Sequence, residues 1–118
     1  MKVLALEKEL IEGKTDDYKS YLRKESLKVW EYYQKGIIRE IYFRKDESLA
    51  VLIIECINVK EARELLEKLP LVREGFIDFE IIPLIPYPGF ARLFNKKIKK
   101  EINLERNTTK SRKRRKNG

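Results

Sequence analysis

The chain has no histidine and a single cysteine, Cys56. The first absence excludes Ser-His-Asp and Cys-His catalysis and any metal site built on imidazole, and the second excludes an intramolecular disulfide and a thiolate zinc centre. The five glycines, at 13, 36, 75, 89 and 118, never cluster, so no phosphate-cradling loop is present. No apolar run approaches the roughly 20 residues of a membrane span. The opening "MKVLALEKEL" reaches Glu7 too soon for the apolar core of a signal peptide. A reducing cytoplasm is the expected compartment, and no cofactor is expected. Cys56, inside the apolar run "LAVLIIEC", is expected to act as a small buried hydrophobe.

What is present fits one soluble domain: 118 residues, 42% hydrophobic and 39% charged. The net charge of +8 suggests a polyanion partner until it is divided along the chain. Residues 1–95 carry 16 Lys and Arg against 17 Asp and Glu, whereas 96–118 carry 11 against 2. The basicity therefore belongs to a tail, 95–118, and the expected domain is 1–94. With no aromatic residue after Phe94, the tail lacks the surface to offset its ordering entropy and is expected to be disordered. Its "KSRKRRK" run can hold phosphates electrostatically, as a weak nucleic acid contact, or remain a solvated extension.

Periodicity gives the order of elements. "KVLALE" (2–7) reads as a strand. Tyr18, Leu22, Val29 and Tyr33 recur at helical spacing between Asp16 and Lys35, with Thr15 or Asp16 as the cap and Gly36 as the stop. "IIREIYFR" (37–44), the turn "KDES" and "LAVLIIEC" (49–56) read as a hairpin. "NVKEARELLEKLP" reads as a second helix, capped by Asn58 and closed by Pro70. "FIDFEIIPL" (76–84) reads as the last strand. The pattern is βαββαβ, a ferredoxin-like α+β unit with both helices on one face of a four-stranded antiparallel sheet. Alternation puts Ile77, Phe79 and Ile81 beneath the helices and Phe76, Asp78, Glu80 and Ile82 on the open face. Apolar residues on that face predict a second copy packed against it, leaving a polar cleft.

"KGIIREIYFR", "ELLEKLPL" and "IDFEIIPLIPYP", in this order and at these distances, resemble the muconolactone delta-isomerase family over residues 2–88. The resemblance implies a dimeric α+β barrel, a homodimer or larger homo-oligomer. It also implies a small-molecule substrate and a double-bond shift in an unsaturated lactone during aromatic-compound breakdown. The chain departs from the family where Glu40 stands in place of a histidine and where two residues are added around "VREGF".

Moving a double bond beside a carbonyl needs a base, a returning acid and a donor for the enolate oxygen, which carboxylates, tyrosines and arginines can supply. The candidates on the open face are Glu80, Asp78 and Glu40 as catalytic carboxylates, with Tyr42 and Arg44 as substrate-binding groups, joined by Arg39, which the family resemblance supports. One reading makes Glu80 or Asp78 the base, its pKa raised by desolvation in the dimer cleft, and Arg39 or Arg44 the partner of the enolate. The other makes Glu40, Arg44, Asp78 and Glu80 an interstrand charge network that catalyses nothing. Arg39 falls opposite Glu40 and Tyr42 in a regular strand, and only a bulge would bring it round. Trp30, Tyr32 and Tyr33 are expected to be packing residues. "PYPGFARLF" reads as a turn followed by an oligomerisation arm.

Overall fold

The computed structural model describes residues 1–11 and 16–94. The Thr15 cap candidate and the basic tail therefore lie outside the described residues. The described residues fall in two units, Met1–Ile85 and 86–94.

In the first unit, strand β1 (Lys2–Glu9) precedes a helix in two pieces, α1 (Asp16–Ser20) and α2 (Leu22–Gln34). Strands β2 (Ile38–Phe43) and β3 (Ala50–Glu55) follow, then α3 (Val59–Glu67), the single turn α4 (Pro70–Arg73) and β4 (Ile77–Pro83). All pairings are antiparallel, in the order β2-β3-β1-β4, which is the ferredoxin-like arrangement. Among the described residues, no helix is long and apolar enough to cross a membrane.

Local chemistry explains the helix boundaries. At Tyr21 the N–H donates to Tyr18 O at 3.1 Å, a tighter bond than the α-helical one, and this separates α1 from α2. Helix α2 ends at Gly36, whose φ of +77° lets its own N–H reach Tyr33 O and the Ile37 N–H reach Tyr32 O. This paired arrangement around a left-handed residue satisfies the last carbonyls. Gly75, at φ +81°, ends α4 in the same way, with its N–H on Val72 O and the Phe76 N–H on Leu71 O. Asn58 caps α3 by accepting from the Glu61 N–H at 2.8 Å, and Glu61 reaches back to accept from the Ile57 N–H at 2.7 Å. Pro70 opens α4 instead of only closing α3, because its missing N–H costs nothing in a first turn.

The core lies on one side of the sheet. Val3, Ala5, Leu52, Ile54, Ile77 and Phe79 meet Tyr32, Ala62, Leu66 and Leu69, all buried. Cys56 is buried among them, as its apolar run predicts. Leu4, Leu6, Val51, Ile53 and Ile82 alternate to the opposite, open face, where register aligns Leu4 with Ile53 and Ile82, and Leu6 with Val51 and Glu80.

Phe76 departs from expectation. It precedes β4, and its ring packs edge-on against Tyr18, with centroids 5.6 Å apart, and obliquely against Tyr21, at 5.8 Å. The α4 turn and Gly75 redirect the chain, so Phe76 joins the helical layer and the strand alternation begins one residue later.

Residues 86–94, taken alone, form a 3-10 turn over Gly89–Leu93, with the Tyr87 and Phe90 rings edge-to-face at 5.1 Å. A Cβ at residue 89 would collide with the Tyr87 ring, which accounts for the glycine.

Helices α2 and α3 are joined by the Tyr32 hydroxyl, which donates to Leu65 O at 2.7 Å. Burial pushes this hydroxyl's pKa up to about 12. Tyr32→Phe is expected to cost about 1 kcal/mol by removing that bond, while Leu65 O keeps the Lys68 N–H at 3.3 Å. Leu66→Ala, at the centre of the core, should cost about 2–5 kcal/mol. Urea unfolding of the two variants should reproduce this order.

Candidate functional site

A cavity of about 660 Å³ opens between helix α2 and the helix-side face of the sheet. Leu22, Glu25, Ser26, Val29, Trp30 and Tyr33 line it from α2, at i, i+3, i+4, i+7, i+8 and i+11, a single helical face. Ile41 and Phe43 of the edge strand β2, with Leu52, Ile77 and Phe79 behind them, form the floor. The mouth is aromatic and exposed: Trp30 is 56%, Tyr33 49% and Phe43 68% accessible. The Trp30 and Tyr33 rings stack with centroids 6.0 Å apart.

Two carboxyl groups enter this apolar space. Glu25 accepts from the Leu71 N–H at 2.9 Å, and Glu7 accepts from the Ala50 N–H at 2.8 Å. Burial pushes the Glu25 carboxyl up. The Leu71 N–H pulls it the other way, the charge of Glu7 adds to the rise and that of Arg73 opposes it, and the balance is a raised pKa.

Neither acid stood among the sequence candidates, although each left a signal. Glu25 lies within the apolar stripe of its helix, between Leu22 and Val29. Glu7 continues the inward alternation of Val3 and Ala5. The partners of both acids are more than 40 residues away in sequence and leave no local mark.

The sequence candidates divide between the two faces. Arg39 sits where the register of β2 shifts between Ile38 and Glu40. This bulge turns Ile38 into the core, while Arg39 lines the cavity. Its Nε donates to Gly36 O at 2.6 Å. Glu40 and Tyr42 border the cavity along β2, but their side chains pair with each other on the open face, the hydroxyl donating at 2.7 Å. Arg44 belongs to the hairpin turn, where it binds Asp46 and Glu47 at 2.7 and 2.9 Å.

Asp78 and Glu80 stand on the open face of β4, at the other edge of the sheet. Three strand spacings separate them from Glu40, roughly 14 Å, so one protomer does not join the four charges into a network. Asp78 is held by Arg63, at 2.7 Å, and the same guanidinium donates to Phe79 O at 3.0 Å. Burial draws the Asp78 carboxyl up. The Phe79 N–H, the Arg63 hydrogen bond and the charges of Arg63 and Lys8 outweigh it and leave the pKa lowered. That is the opposite of the direction expected for a base in a desolvated cleft.

The element order and the β2-β3-β1-β4 sheet make this a ferredoxin-like α+β unit, with an apolar chamber between its α2 helix and the sheet. Among solved structures, this chain is similar to the crystal structure of muconolactone isomerase, with a TM-score of 0.63 and 14% sequence identity. The match covers 75% of this chain and 92% of that one, and it is a likeness of fold. No family model and no curated protein matches the sequence.

The raised pKa of Glu25 gives a signed pH dependence. Below about pH 4.5, the ordinary value of a glutamate carboxyl, folded and unfolded states are both protonated at this residue and nothing is lost. As the pH rises from there through the raised folded-state value, the unfolded chain gives up its proton first and stability falls. Glu25→Gln keeps an acceptor for the Leu71 N–H and removes the titration. Its stability relative to wild type should therefore increase between pH 4 and pH 7 in urea unfolding.

Proposed function

We propose that the protein binds an unsaturated carbonyl compound between α2 and the sheet and shifts its double bond by proton transfer through Glu25. The observation that supports this is a carboxyl of raised pKa inside an apolar cavity, the environment that suits a side chain to both take and return a proton. The Glu25 carboxylate removes a proton from carbon next to the carbonyl, and the C–H electron pair moves into the conjugated system as an enolate. The Ser26 hydroxyl lines the same end of the cavity and supplies a donor for the enolate oxygen. The same carboxyl returns the proton at the far carbon. Atoms and electrons balance without an oxidant or a second substrate. The reaction named for the similar structure, a muconolactone isomerisation, is of this class.

Asp78, Glu80, Glu40 and Tyr42 take a second role in this proposal, as the polar rim of a self-association face. Leu4, Leu6, Val51, Ile53 and Ile82 form an apolar strip across the open side of the sheet, half-buried in one chain and bordered by those polar groups. A second copy laid face to face would cover it.

Two measurements test these assignments. In deuterated water, wild-type protein should exchange the acidic C–H protons of muconolactone or of an aryl-substituted butenolide. Glu25→Gln should slow this by about 100-fold or more with the circular dichroism spectrum unchanged. Exchange that survives in Glu25→Gln and vanishes in Glu80→Gln would move the base to the open face. Separately, light scattering should give at least a dimer for the wild-type chain and a monomer for Ile53→Arg.

A further inference from the structure

The shape of the cavity and the chemistry of its two ends specify its ligand more narrowly than the reaction class does. The lining face of α2 runs from Leu22 to Tyr33, eleven residues apart, or about 16 Å at 1.5 Å per residue. A volume of about 660 Å³ lies in the middle of the range for sites that enclose drug-sized molecules, about 300–1,000 Å³. A single-ring lactone would occupy one end and leave the aromatic mouth exposed to water.

The two ends differ in charge. Glu7 and Glu25 line the cavity together with the N-terminal part of α2, and both carboxylates accept main-chain N–H groups. Arg39 lines it beyond the C-terminal end of that helix. The Nε of Arg39 is fixed on Gly36 O, and among the described residues no carboxylate pairs with the guanidinium. Arg44, Arg63 and Arg73, by contrast, are each held by an acid. Gly36 helps place it, because its left-handed backbone orients the carbonyl. A fork of charged donors beside an apolar chamber with exposed rings is matched by an anion at the end of an extended apolar body.

We infer that the ligand is an elongated aryl carboxylate of at least two rings, its body lying along α2 beneath Trp30 and its carboxylate on the Nη atoms of Arg39. About 12 Å of helix separates Glu25 from Tyr33, so a molecule of this length presents its reactive carbon to Glu25 while its anion is held at the mouth. Arg39 thus selects the substrate and sets its direction. This rests on the cavity being the ligand site.

Trp30, the chain's one tryptophan, stands at the mouth and reports occupancy by its fluorescence. The full-length protein is titrated with benzoate, biphenyl-4-carboxylate and neutral biphenyl-4-carboxamide. Biphenyl-4-carboxylate should bind about tenfold more tightly than benzoate. Arg39→Gln should weaken the biphenyl acid about tenfold and leave the carboxamide unchanged. Benzoate binding as tightly as the biphenyl acid would overturn the length, and equal affinity of acid and amide for wild type would overturn the anion, with the cavity still standing as the site. Val29→Phe narrows the chamber and should abolish binding. Unchanged affinity in that variant, or no binding of any probe to wild type, would overturn both the inference and the cavity reading. Tight binding by a protein that exchanges no substrate proton would support the ligand class and overturn the catalytic proposal alone.

Discussion

Helix α2 is held to the rest of the fold at two polar points, and the site depends on them. Near its C-terminal end the Tyr32 hydroxyl donates to Leu65 O at 2.7 Å, and near its N-terminal end the Glu25 carboxylate receives the Leu71 N–H at 2.9 Å. Both bonds tie α2 to its neighbours α3 and α4, and their directional geometry fixes its position in the helical layer. Between the two points the helix does not close on β2, and the chamber remains. Glu25 is thus both a structural bond and a carboxyl of raised pKa in the cavity, a combination that ties the geometry of the site to its acidity.

The same kind of side chain is pushed in opposite directions on the two faces of one sheet. On the helix side, Glu25 loses water and feels the charge of Glu7, which outweigh the Leu71 N–H and Arg73 and raise its pKa. On the open side, Asp78 faces Arg63 and Lys8, which lower it. Alternation along β4 predicts that Asp78 and Glu80 share a face, and they do. Their environment depends on α3, whose Arg63 lies 15 residues earlier in sequence.

Local signals made most of the fold legible. The hairpin, the Asn58 cap, the Gly36 stop and the inward set Ile77 and Phe79 all follow from spacing and residue type within a few positions. The misreading of Phe76 came from α4. A proline read as the end of one helix also starts the next turn, and that turn with Gly75 takes up the residues that would otherwise have begun the strand. The site was less legible because its acids are defined by distant main-chain groups, Ala50 for Glu7 and Leu71 for Glu25. The placement of Arg39 depended on a bulge that alternation alone does not reveal.

The two margins of the sheet are closed by different means. On β2 the bulge at Arg39 interrupts the even row of donors and acceptors that an incoming strand would need. On β4 the Arg63 guanidinium already occupies the Phe79 carbonyl, and Pro83 ends the strand with no N–H to offer. A protein with this much β-branched and aromatic surface would otherwise be a template for sideways polymerisation. Here an added strand is hindered at both margins, and the apolar strip of the open face is what the sheet leaves uncovered.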